Sequence, residues 1–249
     1  MGRHRNDQLP WLVERVRRAS RIVAFTGAGV STSCGIPDFR GPHGIYVTRR
    51  YPEDVFDIGA FVRDPRGFYA FARDFLALES RIQPSLTHRA LARLEELGRL
   101  IGVVTQNIDG LHQRAGSRLV LELHGGFASA TCLRCGRGFP TADIAERIQA
   151  GEIPSCPECG GLIKPDVVFF GENVHHLDRA RDVIASSDLL LVLGSSLTVY
   201  PAATLPVLAR GEVAVVNQGP VRVPPGATFI EAATDELLEQ VAEALGLFG

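Results

Sequence analysis

The sequence predicts an α/β fold built on a doubly wound parallel sheet, with a smaller domain inserted. Three observations predict it. Short β-branched runs alternate with helical patterns, a glycine-rich turn closes the first run, and two stretches break the alternation. The 249 residues, 45% hydrophobic and 22% charged, suffice for one large domain, or one domain with an insertion. This excludes a stapled mini-protein without a core of its own. The formal net charge of −2 argues against a protein that grips nucleic acid mainly by charge, and the basic pair Arg17-Arg18 reads as a solvated helix face.

Five apolar runs read as strands: 21–26, which ends at the glycine turn, then 100–105, 167–170, 188–193 and 212–217. Each is apolar on both faces, as strands of a buried parallel sheet must be. Leu91, Leu94 and Leu97 repeat at a helical interval, and Gly98 is a suitable C-terminal stop. Pro201 suits the first turn of a helix running to Arg210, and Leu238, Val241 and Leu245 mark one face of a helix over 235–245. The breaks are an aromatic-rich helical stretch at 42–85 and a cysteine-bearing stretch at 127–165. The larger domain is therefore expected to comprise 1–41, 86–126 and 166–249, with 42–85 and 127–165 as its insertions.

The cysteines are Cys34, Cys132, Cys135, Cys156 and Cys159. An odd number with two tight pairs does not read as a secreted disulfide framework. No apolar run approaches the ~18 residues of a membrane span. The first residues lack both a signal-peptide apolar segment and a myristoylation pattern, so a reducing, cytoplasmic setting is expected. Cys132-Leu133-Arg134-Cys135 and Cys156-Pro157-Glu158-Cys159 are two C-x-x-C hooks with 20 residues between Cys135 and Cys156. Together they offer four thiolates to one tetrahedral Zn2+, with an iron–sulfur cluster or two disulfides as alternatives. Four cysteines close the coordination shell, so the zinc is expected to be structural and its affinity to contribute to folding. Cys34 reads as a small buried apolar side chain.

The turn Gly27-Ala28-Gly29 lets backbone N–H groups approach a pyrophosphate. Its spacing departs from G-x-G-x-x-G: Gly35 comes three residues late, and no acidic residue closes a second strand at the expected distance. Both departures count against a dehydrogenase. The stretch 27–41 reads GAGVSTSCGIPDFRG; TQNID follows at 105–109, LHG at 123–125, then the four cysteines, KPDVVFFGE at 164–172, GSSL at 194–197 and VN at 216–217. Taken together, these segments resemble the signature of the sirtuins, the NAD-dependent protein deacylases, in that family's order and over nearly the whole chain.

The resemblance implies a Rossmann-like domain that binds NAD, a structural Zn2+, and removal of acetyl groups from lysine in proteins or peptides. Free lysine, nicotinamide and O-acetyl-ADP-ribose would be the products. In that family the acyl oxygen attacks C1′ of the nicotinamide ribose, nicotinamide leaves, and a histidine acts as general base on a ribose hydroxyl of the ADP-ribosyl imidate. The implied base is His124, and histidine suits the role because it titrates near neutral pH. Asn107 and Asp109 match the pocket for the nicotinamide ribose and amide, and Gln106 lies near the ribose hydroxyls. Gly27, Ala28, Gly29, Asp38, Phe39, Arg40, Ile108, Gly194, Ser195, Ser196 and Asn217 complete the cofactor set. Within it, Arg40 pairs with phosphate and Phe39 forms a wall between the nicotinamide and acyl sites. Val168, Phe170 and Val199 match an apolar acyl-lysine tunnel, and the backbone of Gly171, Glu172 and Asn173 would pair an extended peptide by strand addition. Without the motifs, His124 would read as a packing residue, Asn107 and Asp109 as a polar cap at a strand end, and Asp38 with Arg40 as a local ion pair.

Sirtuins that prefer succinyl or malonyl lysine carry a Tyr and an Arg three residues apart in the helical insertion. Aligned on Ile82-Gln83-Pro84, the Arg falls on Arg73 but the Tyr falls on Ala70, and Tyr69 would face roughly 100° away on a helix. Deacetylation is therefore expected over succinyl or malonyl removal, with longer acyl groups or protein ADP-ribosyl transfer as alternatives. A non-enzymatic zinc module is the competing class. No nucleic acid or membrane partner is expected, and a monomer is the default.

Overall fold

The computed structural model describes residues 5–38, 44–45 and 47–248. It opens with helix α1 (Arg5–Arg18) and strand β1 (Ile22–Thr26). Helices α2 (Ile58–Arg63), α3 (Arg66–Glu79) and α4 (Leu86–Glu96) lead to β2 (Leu100–Thr105). Next come α5 (Leu111–Arg114), β3 (Val120–Glu122), β4 (Gly125–Cys132), β5 (Gly138–Pro140), α6 (Ala142–Gln149) and β6 (Ile163–Val167). The chain closes with α7 (Leu177–Ala185), β7 (Leu189–Leu193), β8 (Glu212–Asn217), β9 (Thr228–Glu231) and α8 (Thr234–Leu245).

Six strands form one parallel sheet in the order β3-β2-β1-β7-β8-β9. β1 and β7 are buried at every position because they lie at its centre with helices on both faces. Alternate residues supply the two faces, following the two-residue period of a strand. Ile22, Ala24, Leu189 and Leu191 pack with α1, α4 and α8, whereas Val23, Phe25, Leu190 and Val192 pack with α7 and the segment after β7. Arg17 and Arg18 are exposed on α1 and each pairs with Glu14, as expected of a solvated face.

A second, antiparallel sheet has the order β5-β4-β6. Its apolar face meets α2, α3 and α6 in a core of Phe56, Phe61, Phe68, Phe71, Phe75, Phe127 and Phe169. Edge-to-face pairs dominate there, as at Phe56–Phe71 (4.9 Å between ring centroids) and Phe61–Phe169 (5.4 Å), the geometry aromatic quadrupoles favour. The helical and cysteine stretches, separate in sequence, thus share one core.

Several elements differ from the sequence reading. The run 167–170 is not a strand of the parallel sheet. Its first residue ends β6, which pairs with β4, and Phe170 then crosses to Phe56 and Ile58 through hydrogen bonds of 2.7 and 3.2 Å. The predicted helix after Pro201 is a 3-10 segment over Ala202–Leu208, interrupted by Pro206, which has no N–H to donate. Strands β3 and β9 come in addition to the parallel strands expected. Among the described residues, no helix is long and apolar enough to cross a membrane.

Candidate active site

The strand order reverses between β1 and β7, and in open α/β sheets the crevice at the C-terminal ends of such strands receives ligands. The Gly27–Gly29 turn leaves β1 there and Gly194 leaves β7. The two turns are bonded together, Gly27 N–H to the Leu193 carbonyl (3.0 Å) and Gly29 N–H to the Gly194 carbonyl (2.9 Å). A Cβ on Gly29 would stand 2.6 Å from Gly194 Cα, and one on Gly194, whose φ is +63°, 2.6 Å from the Gly29 carbonyl carbon. Only bare backbone fits, so the two glycines let the turns after β1 and β7 close directly on each other.

Behind the crevice lies a buried polar chain. Asn107 Nδ2 donates to the Gly27 carbonyl and to Ser31 Oγ (both 3.2 Å), and Ser31 Oγ donates to Asp109 (2.7 Å). Asp109 also accepts the Leu111 N–H at 3.0 Å. Thr105 Oγ1 accepts the Asn107 N–H (3.0 Å) and the Thr26 hydroxyl (2.8 Å), and Thr26 Oγ1 lies 2.9 Å from His112 Nε2. Gln106 Nε2 donates to Ser195 Oγ (2.9 Å), joining the strand ends across the crevice. Asn107, Asp109, Gln106, Gly27, Gly29, Gly194 and Ser195 are therefore brought together.

Ala28 is half-buried within the turn, and Ile108 is buried in the aromatic lobe. The Asp38 carbonyl accepts the Ile45 N–H at 2.8 Å. Ser196 Oγ bonds Thr198 Oγ1 (2.9 Å), and Asn217 ends β8 with its amide donating to the Gln218 carbonyl (2.9 Å). Phe39 and Arg40 lie outside the described residues. Sequence reasoning did not single out Thr26, Ser31 or His112. The only signal was the pair of threonines closing both β1 and β2, which stand side by side in register.

His124 links β3 to β4. Its Nδ1 lies 3.0 Å from the Gln106 carbonyl, and its own carbonyl accepts the Val168 N–H at 2.8 Å. A carbonyl can only accept, so Nδ1 carries the proton and Nε2 keeps a lone pair. Burial and the neighbouring His175 push the imidazole below its ordinary pKa, against the opposing pull of the Gln106 carbonyl. Gly125 follows with φ +63°, and a Cβ there would stand 1.8 Å from the Asp166 carbonyl oxygen, so only glycine lets β4 start against β6 at this point.

Val168, Phe170, Gly171 and Glu172 form a turn after β6. Phe170 is 52% exposed, and Glu172 closes the turn with N–H to the Phe169 carbonyl (3.0 Å). Asn173 is exposed beyond it. Val199 stands elsewhere, heading the 3-10 segment, where its carbonyl accepts the Ala203 N–H (2.8 Å).

His88 and His112 are buried with ring centroids 4.5 Å apart. Burial lowers both pKa values. His88 lowers that of His112 further, and the carboxylates of Asp109 and Asp235 partly oppose the shift at His88. Unfolding restores the ordinary value near ~6.5, so the unfolded chain binds more protons below that pH. Stability is then full above pH ~6.5 and falls as pH drops below it. Thermal melts should show Tm falling from pH 7 to 5, with His112→Gln flattening the fall; a Tm independent of pH over that range contradicts the assignment. Cys34 is half-buried, and burial with the charges of Asp235 and Asp109 raises its pKa, which keeps it a thiol.

The other four cysteines converge, with Sγ atoms all within 4.8 Å of one another. Cys132–Cys159 and Cys135–Cys156 are 3.5 and 3.8 Å apart, far beyond a disulfide bond of ~2.0 Å and close to the ~3.8 Å edge of a tetrahedron with 2.3 Å Zn–S bonds. Each hook is a turn in which a following glycine donates to the first cysteine's carbonyl, Gly136 to Cys132 and Gly160 to Cys156 (both 2.9 Å), with φ of +73° and +69°. The Gly161 N–H also points at Cys159 Sγ (3.4 Å). The tetrad is positioned to bind zinc, and four sulfur ligands leave no place for a reacting water.

The fold and crevice define a dinucleotide-binding α/β domain carrying a lobe whose four cysteines are positioned to bind zinc. The model of the Sir2 family matches residues 27–201, and the chain belongs to that family. An NAD-dependent protein deacetylase of Thermotoga maritima is 46% identical over 79% of this chain and 81% of its own length. One from Saccharolobus solfataricus is 37% identical over 94% and 97%. Among solved structures, Sir2 with a p53 peptide and NAD+ superposes with a TM-score of 0.87 at 39% identity, covering 96% of this chain and 99% of that one. A Sir2 variant with deacetylated p53 peptide and 3′-O-acetyl-ADP-ribose gives 0.86 at 40% identity over 94% and 97%.

Proposed function

We infer that the chain is an NAD-dependent protein lysine deacetylase that yields free lysine, nicotinamide and O-acetyl-ADP-ribose. The observation that carries the residue roles is the state of His124: proton on Nδ1, lone pair on Nε2, held by the Gln106 carbonyl next to the Asn107–Asp109 segment. NAD supplies the electrophilic C1′ and the ADP-ribose that accepts the acetyl group. In this reading His124 Nε2 takes the proton of a ribose hydroxyl, which its lowered pKa permits at neutral pH. Asn107 and Asp109, fixed by Gly27, Ser31 and the Leu111 N–H, hold the nicotinamide end. The backbone seam of Gly27, Ala28, Gly29, Gly194, Ser195 and Ser196 receives the pyrophosphate, with Arg40 as its cation, and Asn217 takes a ribose. Val168 and Phe170 line the acyl-lysine path, and the main chain at Gly171–Asn173 pairs the peptide.

Two side chains support acetyl as the preferred group. The Tyr69 hydroxyl is buried and donates to the Ile163 carbonyl, and exposed Arg73 lies 3.6 Å from the Asp74 carboxylate. The buried Tyr69 hydroxyl is therefore not available as the second member of a Tyr–Arg pair, and Ala70 supplies none. Purified protein should release nicotinamide only when NAD and an acetyl-lysine peptide are both present. It should turn over acetyl-peptide at least tenfold faster than succinyl-peptide. The opposite order overturns the acyl preference, and nicotinamide release that needs no acyl-peptide overturns the deacetylase reading.

A further inference from the structure

Lys164 is the only lysine in the sequence; every other member of the 26 Lys and Arg is arginine. It is also a rare buried cation, 5% exposed in the middle of β6. Its ammonium meets three oxygens: the Val167 carbonyl (2.7 Å), Glu172 Oε2 (2.9 Å) and the Pro165 carbonyl (3.4 Å). The Phe169 ring covers it, with Nζ 4.3 Å from the ring centroid. Three N–H donors thus face three acceptors, a socket for a compact ammonium rather than a planar guanidinium. Glu172 is itself fixed by a second bond, since the same Oε2 that meets Lys164 accepts the Phe169 N–H at 2.8 Å. The ion pair therefore locks the turn from Phe169 to Glu172 onto β6. An ion pair with one partner buried is seldom net stabilising compared with apolar packing, so what this pair contributes is read from what it places, the turn after β6.

We propose that Lys164 is a positioning residue for the acylated peptide. Its ion pair with Glu172 fixes the turn whose main chain, at Gly171–Asn173, receives the substrate strand. The proposal rests on the deacetylase reading and adds to it a residue that touches neither substrate nor NAD. Without the pair the Glu172 end of the turn loses its tie to β6 while Phe169 and Phe170 stay anchored, so the peptide must order the Gly171–Asn173 main chain on binding and its affinity falls. Lys164 contacts Pro165, Val167, Phe169 and Glu172 and none of the residues assigned to NAD, so the KM for NAD is expected to be unaffected.

The test compares full-length wild type, Lys164→Met and the double variant Lys164→Met/Glu172→Gln, which leaves no unpaired buried charge. Three quantities are measured: KM for an acetyl-lysine peptide, KM for NAD, and kcat/KM for a single blocked acetyl-lysine that offers no flanking main chain. Both variants should raise the peptide KM at least fivefold. In Lys164→Met, NAD KM and single-residue turnover should stay within twofold of wild type, and the double variant, compared only in peptide KM and Tm, should regain the Tm lost by the single one. The proposal is overturned if the double variant has a wild-type peptide KM. It is equally overturned if peptide, NAD and single-residue substrates all lose activity in parallel, which marks a merely structural role. A wild-type enzyme inert toward every acetyl-lysine substrate would instead refute the parent reading.

Discussion

Replacing His124 with alanine should lower kcat/KM for an acetyl-peptide by about 10²- to 10⁴-fold, the range a general base contributes. The fold should survive, because the imidazole makes one side-chain hydrogen bond, to the Gln106 carbonyl, while the Val168 tie uses the His124 backbone. The wild-type pH profile carries the sign. Burial and His175 hold the imidazole below its ordinary value, so the base form prevails at neutral pH. kcat/KM should therefore be flat through pH 7 and fall on the acid side, below pH ~6.5. A variant with wild-type kcat/KM, or an acid limb beginning above pH 7, would remove His124 from the role.

Loss of the metal should have the second large effect. Structural zinc contributes roughly 10 kcal/mol or more of apparent binding energy to small cysteine sites, and that energy is folding energy. Cys132 and Cys156 are buried in the same core as Phe68, Phe127 and Phe169, so opening the tetrad disturbs the lobe and the turn after β6. Metal analysis should find one zinc per chain. A strong chelator, or Cys132→Ser with Cys156→Ser, should lower Tm by more than about 10 °C, since 1 kcal/mol moves a chain of this size by roughly 2–4 °C. Activity should fall along with near-ultraviolet circular dichroism, not ahead of it. Activity lost while the spectrum and Tm are unchanged would make the metal catalytic.

Much of this was legible in the sequence, and the exceptions have physical causes. β1, β2, β7 and β8 were readable because strands buried on both faces leave unbroken apolar runs. β3 and β9 are edge strands of three and four residues, half-exposed, so their composition carries little signal. The run 167–170 is as apolar as any core strand, but hydrophobicity cannot say which sheet a segment joins. In the site, the cysteine hooks and the segments around His124 and Asn107 announce themselves by local spacing. The chain from Asn107 through Thr105 and Thr26 to His112 does not, because nothing local distinguishes a buried threonine or histidine from an exposed one. The socket of Lys164 is hidden for the same reason, although its partner lies only eight positions away.

The seam between Gly29 and Gly194 has a genetic consequence. At most tight contacts an enlarged residue can be rescued by shrinking its neighbour. Here both neighbours already lack side chains and their main chains touch, so neither position can give way to the other. A screen for second-site suppressors of Gly29→Ala or Gly194→Ala should recover true revertants and no compensating change at the opposite glycine. Along this line, variation at one site has no partner able to absorb it.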